Sequence, residues 1–132
     1  FAPYIVAARD NSKFCATVVK PSITDWKEEK HTICVKHTII ISQKKDGSFI
    51  SEDEAHYICG ILNSDIVKSY IENTFKSNGY SLNKSNLNLP EYDESNSLHK
   101  EIVDLVKNVT PDSVKSVTKK ITDIYLLICK NT

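Results

Sequence analysis

The sequence predicts an α+β fold with a small sheet, mostly antiparallel or mixed, in its N-terminal half, and three observations support this. Residues 1–50 contain short apolar runs that are rich in β-branched side chains. After residue 51 the apolar residues recur at helical spacing instead. Hydrophobic residues make up 40% of the chain and charged residues 26%, as in ordinary globular domains.

A chain of 132 residues is long enough for one domain with a single core and too short for two. We therefore treat residues 1–132 as one domain. Its parts are a mostly β region (1–50), a helix pair (51–75), a loop with an edge strand (76–90) and two C-terminal helices (95–130). Because the chain has no Met and begins at Phe1, we expect it to be a piece of a longer protein.

The β region begins with a predicted hairpin. Residues 4–8 and 14–19 are apolar runs, and the polar turn 9–13 separates them. Residues 21–30, around Trp26, are predicted to be irregular. The run 32–41 is too β-branched for a helix and forms one long strand or two, and a turn signal at 45–48 follows it.

The helix pair has clear boundary signals. Ser51 and Glu54 form a capping box for the first helix. Its inward residues share helical spacing: Ala55, Ile58, Cys59, Leu62 and Ile66. Asn63 and Ser64 interrupt this pattern, and we interpret them as a structural break rather than a ligand contact, with Ser64 as N-cap of a second helix that ends near Thr74.

Leu87 and Leu89 alternate with polar residues and predict a short edge strand that ends at Pro90. A third helix begins at Asn96 or Ser97 and is expected to bury several apolar residues, Val109 among them. Thr110 as N-cap and Pro111 as the first helical residue predict a fourth helix, with Val114 on its inward face.

Charge and cysteine content narrow the classes of function. Seventeen Lys and Arg balance seventeen Asp and Glu, so the net charge gives no indication of a polyanionic partner. The stretches 9–20, 27–45 and 68–84 are nevertheless locally basic. The four cysteines are far apart and form no zinc motif, so we predict reduced, buried thiols in a cytoplasmic protein without a metal site. No apolar run approaches the roughly 18 residues of a membrane span, and we expect no membrane partner.

No catalytic motif is present in the sequence. Glycines at only 47, 60 and 79 exclude the phosphate-binding patterns GxxxxGK[ST] and GxGxxG, and neither GxSxG nor HExxH occurs. We therefore expect this chain not to be an enzyme. A small hydrolase with an unrecognised site is a third-ranked interpretation.

Three stretches, in this order and spacing, resemble one family. Residues 3–14 are similar to its opening β-hairpin, and EAHYICGILNS at 54–64 looks like its helix that ends in Leu-Asn-Ser. The stretch LNLPEYDESNSLH at 87–99 resembles the last part of the family's sequence pattern, which runs from a Leu-Pro pair to a Leu-His pair. The family is the TaqI-like target-recognition (specificity) domain of adenine-N6 DNA methyltransferases and type IIG restriction-modification enzymes, and the resemblance extends from Pro3 to about Val109.

The resemblance implies a non-catalytic module that binds double-stranded DNA beside the methyltransferase domain of the same parent chain. No cofactor is expected in this chain, because S-adenosylmethionine belongs to that missing catalytic domain. An isolated piece of this kind is expected to be monomeric. The sequence departs from expectation in its neutral charge and in having Arg9 as its only arginine, so a guanine-rich target read by several arginines is not expected.

The candidate DNA contacts are polar and cationic residues in three segments. The hairpin turn contributes Arg9, Asn11, Ser12 and Lys13, although a solvated hairpin tip explains it equally well. The middle segment contributes secondary candidates for phosphate contact, which are Lys36, His37, Thr38, Lys44 and Lys45. The preferred segment is a recognition loop, for which a plain surface loop is the competing explanation; its candidates are Lys76, Ser77, Asn78, Tyr80 and Lys84.

A protein-interaction domain is the alternative from another class. Such a domain would dock a partner by a β edge or by its C-terminal helix. The neutral net charge favours this alternative, whereas the locally basic stretches and the Asn-, Ser- and Lys-rich loop favour DNA.

Overall fold

The N-terminal half forms an antiparallel sheet in this computed structural model, which describes residues 3–9, 15–20, 22–23, 29–30, 38–44, 46–74 and 89–131. Strand β1 (Ile5–Arg9) is central, between β2 (Ala16–Val19) and β5 (Thr38–Ile41). The strands β3 (Ser22–Ile23) and β4 (Glu29–Lys30) pair with each other. The segment predicted to be irregular around Trp26 therefore contains a short antiparallel pair.

Four helices within the described ranges complete the α+β fold predicted from the sequence. They are α1 (Glu52–Asn63), α2 (Asp65–Thr74), α3 (Ser97–Lys107) and α4 (Val114–Lys130). The predicted loop at 76–88 lies outside the described residues, and Leu89 and Pro90, which end the predicted edge strand, belong to no strand.

Local hydrogen bonds explain where α1 and α3 begin. The Ser51 hydroxyl accepts from the Glu54 N–H at 3.1 Å, and the Glu54 carboxylate accepts from the Ser51 N–H at 3.1 Å. This confirms the predicted capping box. Asn96 caps α3 in a similar way, because its side chain accepts from the Leu98 N–H at 2.9 Å.

Helix α1 lies at the centre of the core and contacts the sheet and the other three helices. Its Tyr57, Ile61 and Leu62 are fully buried. They belong to one cluster with apolar residues from every neighbouring element, among them Val6, Ile71, Ile102 and Ile121. One core therefore joins the described helices to the three-stranded sheet.

Three residues predicted to face the core are exposed instead. Ile66 is 43% exposed, because the break at Ser64 ends the first helical register before it. Val109 and Val114 are 39% and 47% exposed, on either side of the connection between α3 and α4. That connection is a turn in which the Thr110 C=O accepts from the Ser113 N–H at 3.0 Å, so α4 begins at Val114 and not at Pro111.

No disulfide joins the described cysteines, and they do not share one environment. Cys59 is buried, Cys129 is half-buried and Cys15 is exposed, so burial was wrongly predicted for Cys15. Its exposure follows from its position just before β2, outside the sheet. Burial raises the pKa of the Cys59 thiol to about 12, which makes this thiol a poor nucleophile at neutral pH. Cys34 lies outside the described residues.

Candidate functional site

The candidate DNA contacts are almost all outside the part of the chain that the structure describes. Arg9 is the last residue of β1, and its backbone pairs with Thr38. The other candidates, at 11–13, 36–37, 76–78, 80 and 84, fall on residues that are not described. The described strands β1, β2 and β5 lie next to two of these segments in the sequence.

One end of the sheet connects two of the three candidate segments. At this end Ala8 pairs with Ala16 of β2, and Arg9 pairs with Thr38 of β5. The chain thus leaves β1, enters β2 and enters β5 at the same end, which we call the hairpin end. The segments that contain Lys13 and His37 are covalently attached there.

Asn63 fastens the hairpin end to the helical core. Its side-chain Oδ1 accepts from the Ala16 N–H at 2.8 Å, and its Nδ2 donates to the Ala16 C=O at 2.8 Å. Both hydrogen-bonding groups of one backbone residue are satisfied by one carboxamide. The structural interpretation of Asn63 is confirmed, since its side chain is committed to β2.

Ser64 ends α1 rather than capping α2 with its side chain. Its hydroxyl donates to the Ile61 C=O at 2.6 Å, and its own N–H donates to the same oxygen at 3.1 Å. The first N–H of α2, from Asp65, donates instead to the Thr122 hydroxyl of α4 at 2.9 Å. Ser64 nevertheless occupies the predicted N-cap position of α2, since α2 begins at Asp65 and the Ser64 C=O accepts from the Lys68 N–H at 2.9 Å.

A buried aromatic contact fixes the chain between Pro90 and α3 against α1. The Tyr57 hydroxyl donates to the Pro90 C=O at 2.9 Å, and the Tyr57 ring stacks on His99 with centroids 4.7 Å apart. His99 Nδ1 accepts from the Asp93 N–H at 3.0 Å. Burial lowers the pKa of His99, which favours the neutral ring that this acceptor role requires. Tyr57 is fully buried.

A cavity of about 800 Å³ lies between β2 and α4 and is called here the β2–α4 groove. Cys59 and Gly60 of α1 lie between its walls, with apolar side chains of Val106 and Ile121 beside them. On the side of Gly60 that faces α3 there is too little space for a side chain, because a Cβ there would lie 2.7 Å from Val106 Cγ2. Gly60 therefore permits the close approach of α1 and α3 beside the groove.

Three lysines line this groove: Lys68, Lys115 and Lys119. Within the described ranges none of them has a carboxylate at ion-pair distance. Lys44, in contrast, pairs with Glu54 at 3.2 Å, so this secondary candidate already has an anionic partner. Sequence reasoning missed the groove lysines, although the i, i+4 spacing of Lys115 and Lys119 places them on one face of α4.

The described residues contain no group of three His, Cys, Asp or Glu side chains that could hold a metal ion. No helix among them has the length and apolar content needed to cross a membrane. Comparisons with protein-family models, curated proteins and solved structures found no match.

Proposed function

We propose that this chain is a sequence-specific DNA-recognition module of a restriction-modification enzyme and is not itself catalytic. The observation that carries the proposal is the hairpin end, where β1, β2 and β5 meet through the Ala8–Ala16 and Arg9–Thr38 pairs. Two segments rich in cationic, amide and hydroxyl side chains begin or end there. These are the side-chain types that contact phosphates and base edges.

The hairpin end has the rigid support that recognition requires. Asn63 binds the Ala16 backbone by two hydrogen bonds, and the adjacent Val6 and Ala8 are buried against the core. Segments attached to such a scaffold can present polar side chains in a fixed arrangement. We infer that the scaffold positions the contacts and that the attached segments make them.

The positions of the resembling stretches also support the proposal. The hairpin stretch contacts α1 through a hydrogen bond from the Tyr4 hydroxyl to the Glu52 carboxylate at 3.2 Å. The stretch at 87–99 contacts α1 through Tyr57, which bonds to Pro90 and stacks on His99. The residues that carry the resemblance therefore contact one another within one scaffold. This is expected of residues that determine a common fold.

In this proposal the parent protein is an adenine-N6 DNA methyltransferase, with or without a fused nuclease, that acts in the cytoplasm. S-adenosylmethionine and the chemistry belong to its methyltransferase domain, and this module positions the duplex. Because the net charge is zero, the module alone is expected to be monomeric and to bind DNA weakly.

Fluorescence anisotropy of a labelled DNA duplex, measured over a range of salt concentrations, tests the proposal. Arg9→Ala, Lys13→Ala and Lys36→Ala should each weaken binding and reduce the salt slope by about 0.9, because each removes one phosphate contact. Lys100→Ala, on an exposed position of α3, is the matched control and should leave the slope unchanged. Equal effects of the control and the three variants, or no effect of any, would refute the assignment.

A further inference from the structure

We propose that the β2–α4 groove binds an extended peptide of alternating apolar and acidic residues, which adds as a strand to the outer edge of β2. This binding activity is separate from the proposed DNA contacts. The groove follows β2 on one side and α4 on the other, with α1 between them. Its cavity of about 800 Å³ is within the range of protein sites that bind ligands in clefts.

The outer edge of β2 has backbone groups that a new strand can bind. Ala16 directs its N–H and C=O away from β1, because both are bonded to Asn63. Antiparallel strands alternate between inward and outward hydrogen-bonding residues, so the N–H and C=O of Val18 also point outward. No described strand pairs with this edge of β2.

Asn63 determines where the added strand must begin. Its carboxamide accepts from the N–H and donates to the C=O of Ala16, as a residue of a neighbouring strand would. The next outward residue along the edge is Val18, which lines the groove. An extended peptide can therefore continue the pairing that Asn63 starts, a recognition mode in which backbone bonds supply affinity.

The groove selects the side chains of this peptide. Successive side chains of a strand point to opposite faces, so every second one points toward the apolar wall made by Cys59, Val106 and Ile121. The exposed Val109 and Val114, also in the lining, extend this apolar surface. Apolar residues at alternate positions are therefore favoured.

Charge favours acidic residues at the other positions. Lys68, Lys115 and Lys119 line the groove, and the described residues give none of them an ion-pair partner. Asp65 is the single acid in the lining, so the described lining has an excess of positive charge. A partner with acidic residues complements this surface, which contributes to specificity and to the rate of association.

The test uses the 132-residue chain and a fluorescein-labelled peptide, Glu-Val-Glu-Val-Glu-Val-Glu. We expect saturable binding that weakens at least tenfold when alternate backbone nitrogens of the peptide are methylated, because methylation removes the strand hydrogen bonds. The double variant Lys115→Ala/Lys119→Ala should weaken binding at least tenfold, whereas Lys100→Ala should change it less than twofold. The peptide should slow hydrogen exchange of the Val18 amide and leave that of Thr17, which points toward β1, unchanged.

Several results would overturn the proposal: no binding at millimolar peptide, binding that is indifferent to N-methylation, or an unprotected Val18 amide. A DNA duplex that loses affinity in the Lys115/Lys119 double variant, together with no peptide binding, would make the groove a nucleic-acid surface instead. Arg9→Ala and Lys13→Ala should leave peptide affinity unchanged, so failure of this proposal and failure of the DNA proposal are distinguishable.

Discussion

The Asn63 carboxamide forms two hydrogen bonds of 2.8 Å with the backbone of Ala16, 47 positions away in the sequence. One side chain at the last position of α1 thereby fixes the first residue of β2. The strand end that is attached to the hairpin turn cannot move independently of the helical core. Any function of the turn depends on this connection, although Asn63 itself need not contact a ligand.

Replacing Asn63 with alanine should destabilise the fold. Asn63→Ala leaves the N–H and C=O of the buried Ala16 without these partners, and we expect the free energy of unfolding to fall by about 2–4 kcal/mol. Asn63→Asp should also destabilise, because it places a second acceptor against the Ala16 C=O. Urea denaturation followed by circular dichroism measures both. Asn73→Ala, at an exposed position of α2, should change stability by less than about 0.5 kcal/mol, and an equally small effect of Asn63→Ala would contradict this account.

Gly60 is required by the contact between α1 and α3. A Cβ at this position would lie 2.7 Å from Val106 Cγ2 and 2.8 Å from Ile102 Cγ2, too close without movement. Gly60→Ala should therefore lower stability by about 1–3 kcal/mol despite the better helix propensity of alanine. In the double variant with Val106→Ala the two effects should be less than additive, since removing the Val106 methyl groups makes space for the new Cβ. Strict additivity in urea melts would show that the close approach is not the cause.

Under the proposed function, the segment 76–84 is expected to affect DNA binding and not folding. Lys76→Ala and Lys84→Ala should weaken DNA binding of the proposed parent enzyme at all sequences and flatten the salt slope by about one unit each. Asn78→Ala or Tyr80→Ala should change the preference among sites by about 1–3 kcal/mol at one target position. Leu62→Ala, at a fully buried position, is the stability control and should cost about 2–5 kcal/mol. Early melting of the loop variants with unchanged DNA affinity would make this loop structural.

The features that sequence reasoning predicted correctly depend on neighbouring residues. The Ser51–Glu54 capping box, the break at Asn63 and the capping of α3 by Asn96 are each local hydrogen-bonding patterns. Features that depend on distant residues were missed. The acceptor for the first N–H of α2 comes from Thr122, and no local pattern near Asp65 indicates it.

The hairpin end and the β2–α4 groove could be predicted only in part, because both depend on residues that are distant in the sequence. Polar segments near Arg9 and His37 are visible in the sequence, but their attachment to one end of the sheet depends on the Arg9–Thr38 register. The β2–α4 groove needed the three-dimensional placement of α4 against β2. The helical periodicity of the sequence predicts Val109 and Val114 to be core residues. In the structure the turn between α3 and α4 leaves both exposed, and they line the groove.

His99 should make stability depend on pH in the weakly acidic range. Burial lowers its pKa in the folded state below the ordinary value of 6.5, an effect larger than the opposing attraction of Asp93. Above pH 6.5 the ring is neutral in both states and its contribution to stability is fully present. As the pH falls below 6.5, the unfolded chain binds a proton that the folded chain resists, so the free energy of unfolding decreases until the folded-state pKa is reached.

The variant His99→Asn isolates this contribution. An asparagine Oδ1 can replace His99 Nδ1 as the acceptor for the Asp93 N–H, which the histidine accepts at 3.0 Å, but asparagine does not titrate. The variant should be less stable than the wild type at pH 7.5, because the stacking on Tyr57 is lost. Urea midpoints measured between pH 7.5 and 5 should then converge as the pH falls, since only the wild type loses the His99 contribution. Parallel midpoints over the whole range would show that His99 does not titrate differently in the two states.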